Sequence, residues 1–178
     1  MELTGKNHFE LFGLPVQFDI DLPAIGDRYR ELQRATHPDQ FATGSEQEQR
    51  IAVEQAAQVN DAYQTLKSPL KRAQYLLELN GTPLDDTDTQ MDMAFLLQQM
   101  AMREELEKVP DAADPFSALD KIRNELKIEL NKVSQQVAEL LSINGDIDAA
   151  KEPVKKMQFL FKVQQELDEL EESLAEQL

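Results

Sequence analysis

Apolar positions recur at helical spacing in block after block of this chain, and alternating, strand-like runs are absent. His8 to Leu14 (HFELFGL) reads as a short helix closed by Gly13 and Pro15. Over 22–36, Leu22, Ile25, Tyr29, Leu32 and Thr36 fall on one stripe, which predicts a single buried face. At about 100° per residue, Arg30 and Arg34 share a solvent-facing side, while Arg28 points elsewhere. Pro38 disfavours helical geometry at His37, so this helix should stop there. Ser45 and Glu48 form a capping-box pattern that opens a second long helix over 46–67, along which Val53, Ala56, Ala57, Asn60, Tyr63 and Leu66 recur. Ser68-Pro69 then breaks the chain, with Pro69 suited to a first helical position. A shorter helix over 69–79 should end at Asn80-Gly81, where glycine can take the left-handed cap.

Residues 82–90 (TPLDDTDTQ) are polar, acidic and turn-rich, which predicts a linker between a unit over 1–81 and a unit over 91–178. Three helical segments follow, over 91–108, 116–142 and 147–176, with breaks from Pro110 to Pro115 and at Asn144-Gly145. Short connections suit an antiparallel three-helix bundle. Pro153 should either kink the last helix or mark its true start. The segment at 91–108 carries two apolar faces: Met91, Phe95, Met102 and Leu106 on one, and Met93, Leu96, Leu97 and Met100 on the other, with Glu104 at its end. A bundle helix needs one such face. The second must meet the other unit, a second copy or a client protein, and methionine and leucine suit an adaptable contact.

Composition narrows the options further. The fold class expected is all-α, with few aromatics and only six glycines in 178 residues. The net charge is −16, unevenly spread: residues 1–80 carry 8 basic against 12 acidic side chains, and residues 81–178 carry 10 against 22. Phosphate backbones and anionic membranes would be repelled, so neither nucleic acid nor a membrane surface is an expected partner. There is no cysteine and only two histidines, which leaves no thiol chemistry and no evident metal site. No apolar run approaches the roughly 20 residues of a membrane span, and the first residues lack the apolar core of a signal peptide. A cytoplasmic protein without a cofactor is expected.

The candidate chemistry is His37-Pro38-Asp39, set between two helix signals. An enzyme reading would make His37 a base oriented by Asp39, but nothing nearby supplies a nucleophile, an oxyanion site or a metal. The plain structural reading is a proline turn with a capping aspartate. The stretch RYRELQRATHPDQF, the run NDAYQTL, Ser68-Pro69 and Arg72-Ala73-Gln74-Tyr75 together resemble a J-domain, a helical hairpin with short flanking helices. That resemblance implies that His37, Pro38 and Asp39 stimulate the ATPase of a heat-shock-70 chaperone, with Arg28, Arg30 and Arg34 as a basic docking face. J-domains usually carry Lys or Arg after the tripeptide. Gln40 stands there instead, which implies somewhat weaker, salt-sensitive docking.

The likeness extends further. NHFELFGLP, HPDQFATGS, SPLKRAQYLLELNG and AFLLQQMAMREELE resemble the HscB family, the J-type co-chaperones of bacterial iron–sulfur cluster assembly. The resemblance implies the chaperone HscA and the cluster scaffold IscU as partners, with no enzymatic activity in this chain. It also implies a scaffold-binding face at Leu96, Leu97, Met100, Glu104 and Phe159. Ala101 departs from the family pattern, where an acidic residue is common. Phe159 also flanks the core stripe Leu160, Val163, Leu167, Leu170 and Leu174, so core packing is its other reading. A J-protein serving a different client, or a structural helical module, would be the alternatives.

Overall fold

A computed structural model describes residues 5–85, 91–142 and 145–176. Every regular element among them is helical, and the chain divides into two compact units, Met1–Leu79 and Asn80–Leu178. Residues 86–90 of the expected linker and Asn144 lie outside the described residues.

The first unit is built on a hairpin of α2 (Leu22–Thr36) and α3 (Glu46–Lys67), flanked by α1 (His8–Phe12) and α4 (Pro69–Leu79). Local chemistry sets each boundary. Asn7 and Glu10 form a reciprocal capping box at the start of α1, and Gly13, in the left-handed conformation at φ 68°, closes it. The Asp21 carboxylate accepts the Ala24 N–H at the start of α2, with Pro23 in its first turn. Ser45 and Glu48 cap α3 reciprocally, as their spacing predicts.

Between the long helices, Tyr29 stacks on Tyr63 with ring centroids 4.1 Å apart, and its hydroxyl donates to Asn60 Oδ1 at 2.8 Å. Phe9, Ile25, Leu32, Val59, Leu66 and Leu77 fill the space beneath them. The stripe expected on α2 holds at Ile25, Leu32 and Thr36, but Leu22 is exposed at the helix's first turn. On α3 the buried line is Ala52, Val59, Ala62 and Leu66; Val53, Ala57 and Asn60 face outward. Arg72 is buried against the end of α3, where its guanidinium donates to the Leu66 carbonyl at 2.6 Å and lies over the Phe18 ring. Burial lowers its pKa, and Asp19 opposes the shift.

The second unit comprises α5 (Met93–Glu107), α6 (Pro115–Leu140) and α7 (Lys151–Ala175), with a 3-10 turn at Val109–Asp111 after α5. Its core is Leu119, Ile122, Leu126, Val133 and Val137 from α6, and Val154, Met157, Leu160, Val163 and Leu167 from α7. Leu170 and Leu174 of the expected α7 stripe are only half-buried. Helix α7 begins at Lys151, so Pro153 lies in its first turn, where a missing N–H costs nothing. From α5, Phe95, Gln99, Met102 and Leu106 point inward. Arg103 fastens α5 to α7 through a two-pronged pair with Glu166, at 2.9 and 3.2 Å.

Candidate functional site

The tripeptide occupies the turn between α2 and α3. His37 ends α2 in extended geometry, as the following proline requires, and then caps a 3-10 turn over Pro38–Phe41. The Asp39 N–H donates to His37 Nδ1 at 3.3 Å. The Asp39 carboxylate lies 3.6 Å from the same nitrogen and is almost fully exposed, with the His37 ring half exposed. Among the described residues no further ion pair or hydrogen bond is made by this carboxylate.

Main-chain bonds continue the turn. Gln40 N–H donates to the His37 carbonyl at 3.0 Å, Ala42 N–H to Asp39 at 3.3 Å, and Gly44 N–H to Phe41 at 2.9 Å. A Cβ added at Gly44 would meet the Glu48 carboxylate at 2.9 Å and the Phe41 carbonyl at 3.1 Å, so a larger residue would push the capping box apart. That box holds Glu48's pKa down, through the bonds that its carboxylate accepts from the Ser45 backbone and hydroxyl. Beyond the box, the Gln49 amide nitrogen reaches back to the carbonyls of Ala42 and Gly44, at 3.2 Å each.

The three arginines are not equivalent. Arg34 lines one shallow concavity with Gln33, His37, Asp39 and Gln40, and has no acidic partner among the described residues. Arg30 is paired with Asp27, and Arg28 with Glu31 at 2.9 Å, each within α2. Of the three, Arg34 alone stands beside the tripeptide without an acidic partner among the described residues.

In the second unit, Leu97 and Met100 are each 59% exposed on the outer side of α5, and Met93 is 68% exposed in line with them. Leu96 is half-buried at the edge of this face, and Glu104 is exposed at its far end. Phe159 is half-buried on α7, with the Lys162 ammonium 5.7 Å from its ring centre; it belongs to neither the closed core nor the open surface. Gln99 was not legible as a core position, yet it is 3% exposed on the inner face of α5. Gln49 carries no such signal either, because a side chain reaching back to main-chain carbonyls has no residue-type signature. Among the described residues no group of three or more metal-ligating side chains converges, and no helix is long and apolar enough to cross a membrane.

A helical hairpin that presents a capped His-Pro-Asp turn beside a free arginine is the arrangement of a J-domain, and residues 7–75 match the DnaJ domain family. Residues 91–177 match a second family, described as the HSCB C-terminal oligomerisation domain. The chain is 46% identical over 169 residues to the co-chaperone protein HscB homolog of Aliivibrio fischeri, covering 94% of this chain and 98% of that one. Against the homolog of Aeromonas salmonicida it is 45% identical over 171 residues, covering 96% and 99%. Among solved structures, the chaperone HscB from Vibrio cholerae superposes with a TM-score of 0.86 at 42% identity, covering 95% and 99% of the two chains. Human co-chaperone HscB superposes at 0.87 with 29% identity, covering 96% and 84%. The chain belongs to the HscB co-chaperone family.

Proposed function

We propose that this chain couples an iron–sulfur scaffold of the IscU type to a specialised heat-shock-70 chaperone of the HscA type in the cytoplasm. The first unit engages the chaperone through His37, Pro38 and Asp39 and through Arg34. Arg28 and Arg30 join once released from Glu31 and Asp27. Such exposed pairs are each worth only about 0.2–1 kcal/mol, so freeing them is a small cost. ATP hydrolysis takes place on the chaperone; this sequence has no glycine loop to cradle phosphates. The second unit holds the scaffold on Leu96, Leu97, Met100 and Glu104, with Phe159 contributing from α7. Carrying both partners on one chain raises the scaffold's concentration at the chaperone when hydrolysis closes it.

The observation that carries this reading is the outer face of α5. Leu97 and Met100 stay open to solvent while α5 buries a different face, and aliphatic side chains in that position stabilise only a partner. Because both are exposed, Leu97→Ala with Met100→Ala should leave the thermal midpoint unchanged. The pair should weaken scaffold binding by about 30- to 100-fold in calorimetry, the loss of two well-buried anchors. Unchanged affinity would remove the scaffold from this face.

A further inference from the structure

We infer that Gln49 is a positioning residue for chaperone stimulation: its side-chain amide sets the main-chain path of the tripeptide turn. This rests on the reading of the first unit given above. Gln49 lies in the first turn of α3, and its own backbone N–H is already committed to the Ser45 carbonyl at 3.0 Å. The side-chain nitrogen has two hydrogens and two carbonyls within reach, Ala42 and Gly44, each at 3.2 Å. Those carbonyls belong to the strip of chain joining the Pro38–Phe41 turn to α3. The Ala42 and Gly44 N–H groups bond back to Asp39 and Phe41. Each residue clamped by Gln49 through its carbonyl therefore holds the tripeptide turn through its amide. Gln49 bonds to none of His37, Pro38 or Asp39, so its influence runs through the backbone alone.

This role can be told apart from a plain contribution to helix stability. Gln49→Glu keeps the shape and removes the donor, leaving a carboxylate against two carbonyl oxygens. The same change adds a negative charge near the N-terminus of α3, where the helix dipole favours it. A helix-stability role thus predicts that the glutamate variant is as good as the parent or better. A positioning role predicts that it is the worst of a series with Gln49→Ala.

The test is a titration of the chaperone's single-turnover ATPase with each full-length variant, alongside thermal unfolding. A turn that spends less time in the competent geometry raises the apparent dissociation constant by the inverse of that fraction. The half-saturating concentration should rise about three- to tenfold for Gln49→Glu and less for Gln49→Ala. Maximal stimulation should be retained, and the glutamate variant's thermal midpoint should equal or exceed the parent's. Parent-like half-saturation in Gln49→Glu overturns the assignment, as does a loss that follows the thermal midpoint across the series. His37→Gln runs in parallel. If it abolishes stimulation while Gln49→Glu behaves as the parent, only the role of Gln49 fails. If His37→Gln still stimulates, the chaperone reading falls and this inference with it.

Discussion

The Tyr29–Tyr63 stack holds together the two helices that carry the tripeptide, and its removal has a predictable cost. The Tyr29 ring is half-buried, with its centroid 4.1 Å from that of Tyr63 at an interplanar angle of 14°. Partial burial of a large side chain to this extent is worth about 1–2 kcal/mol. The stack adds about 0.5–1.5 kcal/mol beyond area. The bond from the Tyr29 hydroxyl to Asn60 Oδ1, 2.8 Å long at the hairpin's rim, adds about 1 kcal/mol or less. Tyr29→Ala should therefore destabilise the first unit by about 3 kcal/mol. Tyr29→Phe, which keeps the stack and loses only the hydroxyl, should cost about 1 kcal/mol. Amide exchange of α2 and α3 under native conditions reads this directly, because it reports the first unit without the second. If Tyr29→Ala shifts the exchange free energies by less than about 0.5 kcal/mol, or Tyr29→Phe costs as much as Tyr29→Ala, the stack does not hold the hairpin.

His8 supplies a pH signature. Its ring stacks on Tyr75 at 4.2 Å, and burial lowers its pKa, opposed by Asp61 and Glu78. The unfolded chain takes up a proton at the ordinary value of about 6.5, and the folded chain resists it. The stabilisation is complete above that value and declines as pH falls from it towards the lower native pKa. His8→Gln should flatten stability between pH 7.5 and 5.5 in urea unfolding; an unchanged slope would place the titration elsewhere. In the second unit, Arg103 and Glu166 are both part-exposed, so Arg103→Met and Glu166→Gln should couple by only about 0.5–1 kcal/mol in a double-mutant cycle. That coupling should shrink in 1 M salt, and a salt-independent value would show that the pair acts through packing.

Helix ends were readable because each is written in local chemistry: Pro38 stops α2, Ser45 and Glu48 start α3, and Gly13 closes α1. Which side of a helix faces inward was harder where residue size misleads. On α3 the larger Val53 looks like a core residue beside Ala52, yet it is Ala52 that is buried and Val53 that is exposed. Arg72 and Gln99 show the same limit for polar groups. Arg72's burial depends on the Leu66 carbonyl and the Phe18 ring, and neither partner is implied by its neighbours in sequence. For the candidate site, residue types pointed to the tripeptide and to two faces on α5. They did not rank the three arginines, because ion pairing of Arg28 and Arg30 depends on rotamers that only the folded helix displays.

The proposed role of the turn at His37 is to make a chaperone hydrolyse ATP. Single-turnover ATPase measurements on HscA with the intact chain and with His37→Gln test it. His37 is half exposed, and the bond that its side chain accepts from the Asp39 N–H can be kept by the glutamine's carbonyl oxygen, so the fold should persist. The parent should accelerate hydrolysis, and His37→Gln, equally folded by circular dichroism, should not. Equal acceleration by both proteins would remove that role from the turn.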